Sequence, residues 1–195
     1  MENGVDISHW QFPVDWHQVK GAGYSFVYIK ATEGTTLLDN RMSAHWLGAG
    51  QAGLRRGFYC FFRPDLNAAM QAAHFLVATR GLNAELRPVL DVETTRKDPA
   101  GKPLKLDAND LLIWLQFVEM ATGQRPMIYT AAWFFNTYVG TPLWAKGYQL
   151  WVANYSTSPS APGLPKAWTD WAVWQYTSSG KVPGIPGMCD LDRAK

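Results

Sequence analysis

The chain has 195 residues, of which 47% are hydrophobic, and this is enough to bury the core of one domain. The net charge is +2 and the basic residues are dispersed, which argues against a nucleic-acid-binding protein. No apolar run approaches the roughly 18 residues that a membrane-spanning helix needs, so we expect no membrane insertion. We predict a single domain over residues 1–195 that acts as a monomer.

Strands and helices alternate along the first two thirds of the sequence. The predicted strands are residues 4–7, 24–29, 56–62, 88–92, 126–130, 149–153, 171–176 and 188–191. The predicted helices are residues 16–19, 40–52, 67–79, 107–123 and 131–138. The run 25–29 is continuously apolar and rich in β-formers, which is typical of a strand in a parallel sheet that is buried on both faces.

The last three predicted strands are separated by loops rather than helices, because segments 156–166 and 178–187 are rich in Pro, Gly and Ser. The chain thus has eight predicted strands, with helices between the first ones and loops between the last three. This order predicts an α/β fold, an irregular (β/α) barrel of the type (β/α)5(β)3. An open, doubly wound sheet is the alternative that this order of elements leaves.

Polar side chains stand at the end of nearly every predicted strand. They include Asp6, Asp91, Glu93, Tyr129, Tyr155, Gln175 and Asp190. In β/α barrels the functional residues lie at the carboxyl ends of the strands, so we expect these side chains to share one site.

Asp91 and Glu93 are two residues apart on an apolar strand, so both side chains point to the same side, with their backbones roughly 7 Å apart. If the barrel brings Asp6 and Asp190 to the same end, like charges raise at least one carboxyl pKa and keep that group protonated. A protonated carboxyl is what a general acid for glycoside cleavage requires.

Two other interpretations of this pair involve no acid catalysis. One is a structural salt bridge from the pair to Lys30 or Arg63, and the other is a magnesium or calcium site. The four histidines show no metal-ligand spacing, and the two cysteines are too few for a disulfide framework or a four-ligand zinc site. We expect neither a metal nor another cofactor.

Seven short motifs resemble, in order, those of glycoside hydrolase family 25. They are GVDISHWQ from Gly4, IKATEG from Ile29, GFY from Gly57, PVLDVE from Pro88, LWVA from Leu150, WQYTSSG from Trp174 and DLD from Asp190. The resemblance implies an irregular barrel of eight strands and five helices with N-acetylmuramidase (lysozyme) activity on bacterial peptidoglycan. It places the proton donor at Glu93 and makes Asp91, Asp6 and Asp190 the other active-site acids.

A groove for the glycan is expected to lie beside these acids. The candidate substrate-binding residues are Tyr59, Tyr129, Trp151, Tyr155 and Gln175. Aromatic rings suit the faces of sugars but also fill cores, and for Trp151 the core is the favoured interpretation. Many family members have His at the middle of the third-strand motif, where this chain has Cys60, which we predict to be a buried and inert thiol.

The resemblance leaves three routes after protonation: a retaining reaction with a protein nucleophile, an inverting reaction, or attack by the substrate's own acetamido oxygen. We favour the last. A non-catalytic glycan-binding module and a chitinase-like glycosidase are the rival functions. The N-terminus has no signal-peptide pattern, so we expect a wall-acting enzyme that is released by lysis, as phage enzymes are, or secreted in processed form.

Overall fold

A computed structural model describes residues 1–155 and 161–195. Its strands are β1 (Glu2–Ile7), β2 (Tyr24–Glu33), β3 (Leu37–Leu38), β4 (Arg55–Phe61), β5 (Val89–Asp91), β6 (Met127–Ala131), β7 (Gln149–Ala153), β8 (Val173–Gly180) and β9 (Cys189–Ala194). Its helices are α1 (Trp16–Gly21), α2 (Met42–Gln51), α3 (Ala68–Ala78), α4 (Ala108–Thr122) and α5 (Ala132–Tyr138).

The sheet closes into a barrel of eight strands. The strand order is β1-β9-β8-β7-β6-β5-β4-β2, and β1 pairs with β2 to complete the circle. All neighbours in this circle are parallel except β9, which is antiparallel to both β1 and β8. The closure confirms the predicted irregular barrel and excludes the open sheet.

Alternation along β2 shows how the sequence separates the two faces of the barrel wall. Val27 and Ile29 are buried in the cluster between the strands and the helices, whereas Phe26 and Tyr28 belong to a second cluster inside the barrel. The next inward residue, Lys30, lines a pocket at the carboxyl end of the barrel. A continuously apolar run is therefore required, because both faces of the strand are covered.

Two glycines make room for the rings inside the barrel. A Cβ atom on Gly4 would lie 2.2 Å from the ring of Phe26, and one on Gly57 would lie 2.5 Å from the ring of Tyr28. Both glycines occupy strand positions where a neighbouring aromatic side chain takes the space that a side chain of their own would need.

The longest helix, α4, has the predicted ends. The Asp107 side chain caps it by accepting a hydrogen bond from the backbone N–H of Asn109 at 2.8 Å, and Gly123 ends it with φ of 69°. Within residues 1–155 and 161–195, no helix is both long enough and apolar enough to span a bilayer.

Some strand boundaries differ from the predictions. The two-residue strand β3 pairs only with the end of β2 and was not predicted, because it is too short to produce a pattern. Strand β5 ends at Asp91, so Glu93 lies just beyond it. Of the loop predicted over 156–166, residues 156–160 lie outside the described residues.

Candidate active site

All of the predicted site residues line one cavity of about 280 Å³ at the carboxyl end of the barrel. They are Asp6, Tyr59, Asp91, Glu93, Tyr129, Trp151, Tyr155, Gln175 and Asp190. Because these residues come from seven segments that are far apart in the sequence, only the closed barrel brings them together.

Strand β5 places two carboxyl groups at different depths in this pocket. Asp91 is 6% exposed and Glu93 is open to solvent, while Val92 between them is buried on the outer side of the barrel wall. The alternation therefore continues past the last ladder residue of β5. Asp91 forms the base of the pocket wall and Glu93 stands nearer its mouth.

Neither of these carboxyl groups takes part in a salt bridge within the described residues. Lys30 Nζ instead lies 2.8 Å from Oε2 of Glu33, and Arg63 Nη1 lies 3.3 Å from Oε1 of the same residue. The salt-bridge interpretation of the pair is therefore wrong, since both candidate cations are already paired with Glu33.

Burial is the main influence on the ionisation of the pair. It raises the pKa of Asp91 well above the usual range, and the neighbouring charge of Glu93 raises it further. Burial also raises the pKa of Glu93, followed by the charge of Asp190, while Lys30 and the nearby hydroxyl group of Tyr129 oppose the shift. The arrangement favours retention of a proton on the pair at pH values where an ordinary carboxyl group has lost it.

A hydrogen-bond network holds Asp6 on the other side of the pocket. The hydroxyls of Tyr129 and Tyr155 both donate to Oε1 of Gln175, at 2.9 and 2.8 Å. The amide nitrogen of Gln175 donates to Oδ2 of Asp6 at 2.7 Å. Gln175, predicted to bind substrate, is 2% exposed and is the centre of this network.

Strand β9 contributes Asp190 to the pocket and a second acid, Asp192, behind it. Burial raises the pKa of Asp190 to about 6. Asp192 is completely buried, and its Oδ1 accepts a hydrogen bond from Nε1 of Trp151 at 2.9 Å. Trp151 is itself buried in the cluster inside the barrel, in agreement with the favoured core interpretation.

Five residues at or behind the pocket were not among the predicted ones: Ser8, Trp10, Lys30 and Phe61 line it, and Asp192 lies behind it. Asp192 could have been found from its spacing, since it follows Asp190 by two residues exactly as Glu93 follows Asp91. Lys30 continues the inward alternation of β2 and lines the pocket. Trp10 lines the pocket too and is 79% exposed, but a lone tryptophan in a loop gives no periodic signal.

Cys60 points away from the pocket, as predicted. Its side chain is buried in the outer cluster near Thr32 and Trp114, and burial raises the pKa of its thiol to about 12. The thiol therefore stays protonated and inert. Among residues 1–155 and 161–195, no three His, Cys, Asp or Glu side chains are grouped so that they could hold a metal ion.

Comparison with known proteins places this geometry in a family. The family model described as Glycosyl hydrolases family 25 matches residues 5–185. Lysozyme M1 of Streptomyces globisporus is 37% identical over 204 residues, covering 98% of this chain and 66% of that protein. The chain thus spans just under two thirds of the length of Lysozyme M1.

A fungal protein and a solved bacterial structure support the same family. An N,O-diacetylmuramidase of Arthroderma benhamiae is 31% identical over 189 residues, covering 93% of this chain and 79% of that protein. The crystal structure of the bacterial lysozyme from Streptomyces coelicolor superposes with a TM-score of 0.89 at 34% identity, covering 100% of this chain and 92% of that chain. The resemblance that the motifs indicated is confirmed over nearly the whole chain.

Proposed function

Because this chain belongs to glycoside hydrolase family 25, we propose that it is a lysozyme that cleaves the β-1,4 bond between N-acetylmuramic acid and N-acetylglucosamine in bacterial peptidoglycan. The chain is a glycoside hydrolase, and relatives named lysozyme and muramidase support peptidoglycan as its substrate. The observation that carries the proposal is the pocket in which the raised carboxyl pKa values of Asp91 and Glu93 occur together.

Glu93 is the general acid in this proposal. Glu93 lines the pocket near its mouth and the residue as a whole is exposed, so a glycosidic oxygen in the pocket can reach its carboxyl group. Burial and the charge of Asp190 raise its pKa, so the group retains a proton that it can donate to the leaving oxygen. Lys30, the cation of the pocket, opposes this shift and limits its size.

Asp91 stabilises the positive charge that develops on the sugar. It lies deeper in the pocket than Glu93, which follows the end of β5, and at 6% exposure it has little access to the sugar carbon as a nucleophile. We therefore assign the attack to the 2-acetamido oxygen of the substrate, which is a known exception to the scheme with two acting carboxyl groups. Asp91 then stabilises the cationic intermediate, while Asp6 and Asp190 complete the acidic wall of the pocket.

The glycan lies along the mouth of the pocket against exposed aromatic rings. Tyr155 is 58% exposed and the indole of Trp10 packs beside the imidazole of His9 with ring centroids 4.5 Å apart. Both rings can contact the apolar faces of sugars. All of the proposed catalytic side chains come from one chain, so a single copy contains the complete site, and the proposal is that the enzyme acts on the cell wall as a monomer.

The test compares the clearing of purified cell walls by the wild type and by Glu93→Gln. The substitution keeps the size of the side chain but removes the proton donor, so we expect kcat/KM to fall by about 10²–10⁴-fold. Glu119→Gln on α4 is the matched control, since Glu119 does not line the pocket, and it is expected to clear walls like the wild type.

Three other results would contradict the proposal. If Glu93→Gln clears walls at the wild-type rate, the acid is a different residue. If the wild type sediments with walls without clearing them, the barrel is a glycan-binding module. If it cleaves chitin and leaves walls intact, it is a chitinase-like glycosidase.

A further inference from the structure

Asp192 is a buried acid that the proposed mechanism does not use. It is completely buried on β9 and does not line the pocket. The register of β9 places it beside Gly4 on β1 and Gln175 on β8. Gly4 has no side chain, and the amide of Gln175 is directed to Asp6, so neither neighbour pairs with this carboxyl group through its side chain.

The two oxygens of Asp192 differ in their partners. Oδ1 accepts the hydrogen bond from Nε1 of Trp151 at 2.9 Å. Oδ2 is buried and receives no hydrogen bond from any described donor. A buried carboxylate oxygen without a donor is costly, and a hydrogen on a neighbouring protonated group would remove that cost.

Asp6 is the neighbouring acid, because it lies two residues after Gly4, the β1 partner of Asp192, and its side chain therefore points to the same face as Asp192, diagonally across the strand pair. The charge of Asp192 is among the causes that raise the pKa of Asp6. Gln175 cannot be the donor for Asp192. Its oxygen already accepts from Tyr129 and Tyr155, which fixes the amide orientation so that the nitrogen faces Oδ2 of Asp6 at 2.7 Å. A carboxyl hydrogen on Asp6 is therefore the available donor for Oδ2 of Asp192.

The surroundings of the pair do not favour two negative charges. The titratable groups that face the two carboxyls are Tyr28 on β2, Tyr59 on β4, Tyr129 on β6, Tyr155 after β7, Tyr176 on β8, and Cys189 and Asp190 on β9. None of these groups is a cation, and Lys30, which lines the same pocket as Asp6, is paired with Glu33. The neighbouring Arg193 is turned to the ring of Tyr176, 4.5 Å from its centroid.

We propose that Asp6 and Asp192 share one proton, with the carboxyl hydrogen of Asp6 donated to Oδ2 of Asp192, and that Asp192 is thereby a positioning residue for Asp6. The proposal rests on the proposed function, in which Asp6 is one of the active-site acids. The shared proton fixes the orientation of the Asp6 carboxyl group between Gln175 and Asp192. It also limits the pair to one negative charge on the side of the pocket that faces the proton donor.

The direction of the pKa shifts agrees with this arrangement. Burial raises the pKa of Asp6 well above the usual range, and the charges of Asp192 and Asp190 raise it further. Burial also raises the pKa of Asp192, but the hydrogen bonds from Trp151 and Asp6 oppose that shift. Of the two groups, Asp6 is therefore the one that carries the proton and Asp192 the one that accepts the hydrogen bond.

The test is a pH titration of protein labelled with ¹³C at the aspartate carboxyl carbons, followed by NMR, with resonances assigned from single Asp→Asn variants. In the wild type, the resonances of Asp6 and Asp192 are expected to respond together to the loss of the shared proton, with a common midpoint above the ordinary aspartate range. If either group titrates alone in the ordinary range, the proposal is wrong.

Asp192→Asn is the decisive variant. Its amide oxygen can still accept from Trp151 while its nitrogen donates to Asp6, which now stabilises an Asp6 carboxylate. The midpoint of Asp6 is expected to fall by at least about one pH unit, which is a tenfold change in proton affinity. An unchanged midpoint would overturn the shared proton. Asp170→Asn, at an exposed position, is the control and is expected to leave the midpoint of Asp6 unchanged.

The reciprocal variant covers the case in which Asp192→Asn fails to fold. In Asp6→Asn, the midpoint of Asp192 is expected to fall in the same way, and an unchanged midpoint would again contradict the proposal. The titration needs no substrate, so its failure leaves the cleavage assay with Glu93→Gln intact. Conversely, the midpoints of Asp6 and Asp192 do not depend on whether the protein cleaves cell walls, so a negative cleavage assay leaves this proposal intact.

Discussion

The lower and upper halves of the barrel interior are built from the same strands, yet they have opposite chemistry. On β5 the lower inward residue is Val89 and the upper one is Asp91; on β6 the corresponding residues are Met127 and Tyr129. The change from a packed apolar layer to a polar pocket is made within two residues of each strand. Of two successive inward positions on one strand, the lower one therefore contributes to core packing and the upper one contributes to the chemistry of the pocket.

The apolar layer also influences the chemistry above it. It excludes water from beneath the carboxyl groups, and burial is the largest cause of the raised pKa values of Asp6, Asp91 and Glu93. A carboxyl group above such a layer is harder to ionise than one in water. The comparison predicts that changes to the upper layer alter activity and pH dependence, whereas changes to the lower layer alter stability.

The largest expected effect after loss of Glu93 comes from Asp91→Asn. In the proposed mechanism the charge of Asp91 stabilises the transition state, so its removal is expected to lower kcat by about 10²–10³-fold. Most of the effect should appear in kcat rather than in KM, because the interaction strengthens only as positive charge develops on the sugar. Steady-state kinetics on a soluble glycan fragment would measure the split, and a change confined to KM would be evidence against the assigned role.

The same variant has a predicted effect on stability that depends on pH. Folding raises the pKa of Asp91, so its contribution is fully present below the ordinary pKa of aspartate and is lost as pH rises through the raised value. Asparagine does not ionise and avoids that loss. The Tm of Asp91→Asn relative to wild type should therefore increase with pH, and a difference that stays constant would show that Asp91 is not destabilised by its charge.

The lower layer is tested by Met127→Ala, two residues before Tyr129 on the same strand. Truncation of a buried methionine is expected to reduce the free energy of unfolding by about 2–5 kcal/mol. The kcat of the remaining folded enzyme should stay close to that of wild type, since no pocket residue is changed. Denaturant unfolding and kinetics on the same samples would check both parts. A loss of kcat as large as in Asp91→Asn would contradict the claim that the lower layer affects stability and not activity.

The smallest expected effect is a shift of the pH profile in Asp190→Asn. Asp190 has a pKa of about 6, so above that pH its charge raises the pKa of Glu93 and helps it to keep its proton. Without this charge, Glu93 should lose its proton earlier. In the profile of kcat against pH, the loss of activity at alkaline pH is expected to move to lower pH by up to about one unit. An unchanged alkaline midpoint of kcat would show that Asp190 does not influence the general acid.

Much of this division was predictable from the sequence. The order of the predicted strands and helices indicated the barrel, and the polar residues at the strand ends indicated the residues that line its pocket, because both patterns can be recognised without any knowledge of tertiary contacts. The opposite orientations of Tyr59 and Cys60 followed from the alternation of side chains along a strand.

The remaining features depend on contacts between distant segments. That Lys30 and Arg63 pair with Glu33, and not with the acids of β5, follows from side-chain geometry that no spacing in the sequence specifies. The antiparallel direction of β9 and the contact between Asp6 and Asp192 likewise arise only when the barrel closes.

The most direct test of the central claim is the identity of the new reducing ends that the wild type releases from purified peptidoglycan. The ends are reduced with borohydride, and the products are hydrolysed and identified by mass spectrometry. A muramidase leaves an N-acetylmuramic acid residue at each new reducing end, which borohydride then converts to the reduced form of muramic acid, and this is the result we expect. Reduced glucosamine, or no new reducing ends while the walls are intact, would contradict the assignment of this pocket to muramidase chemistry.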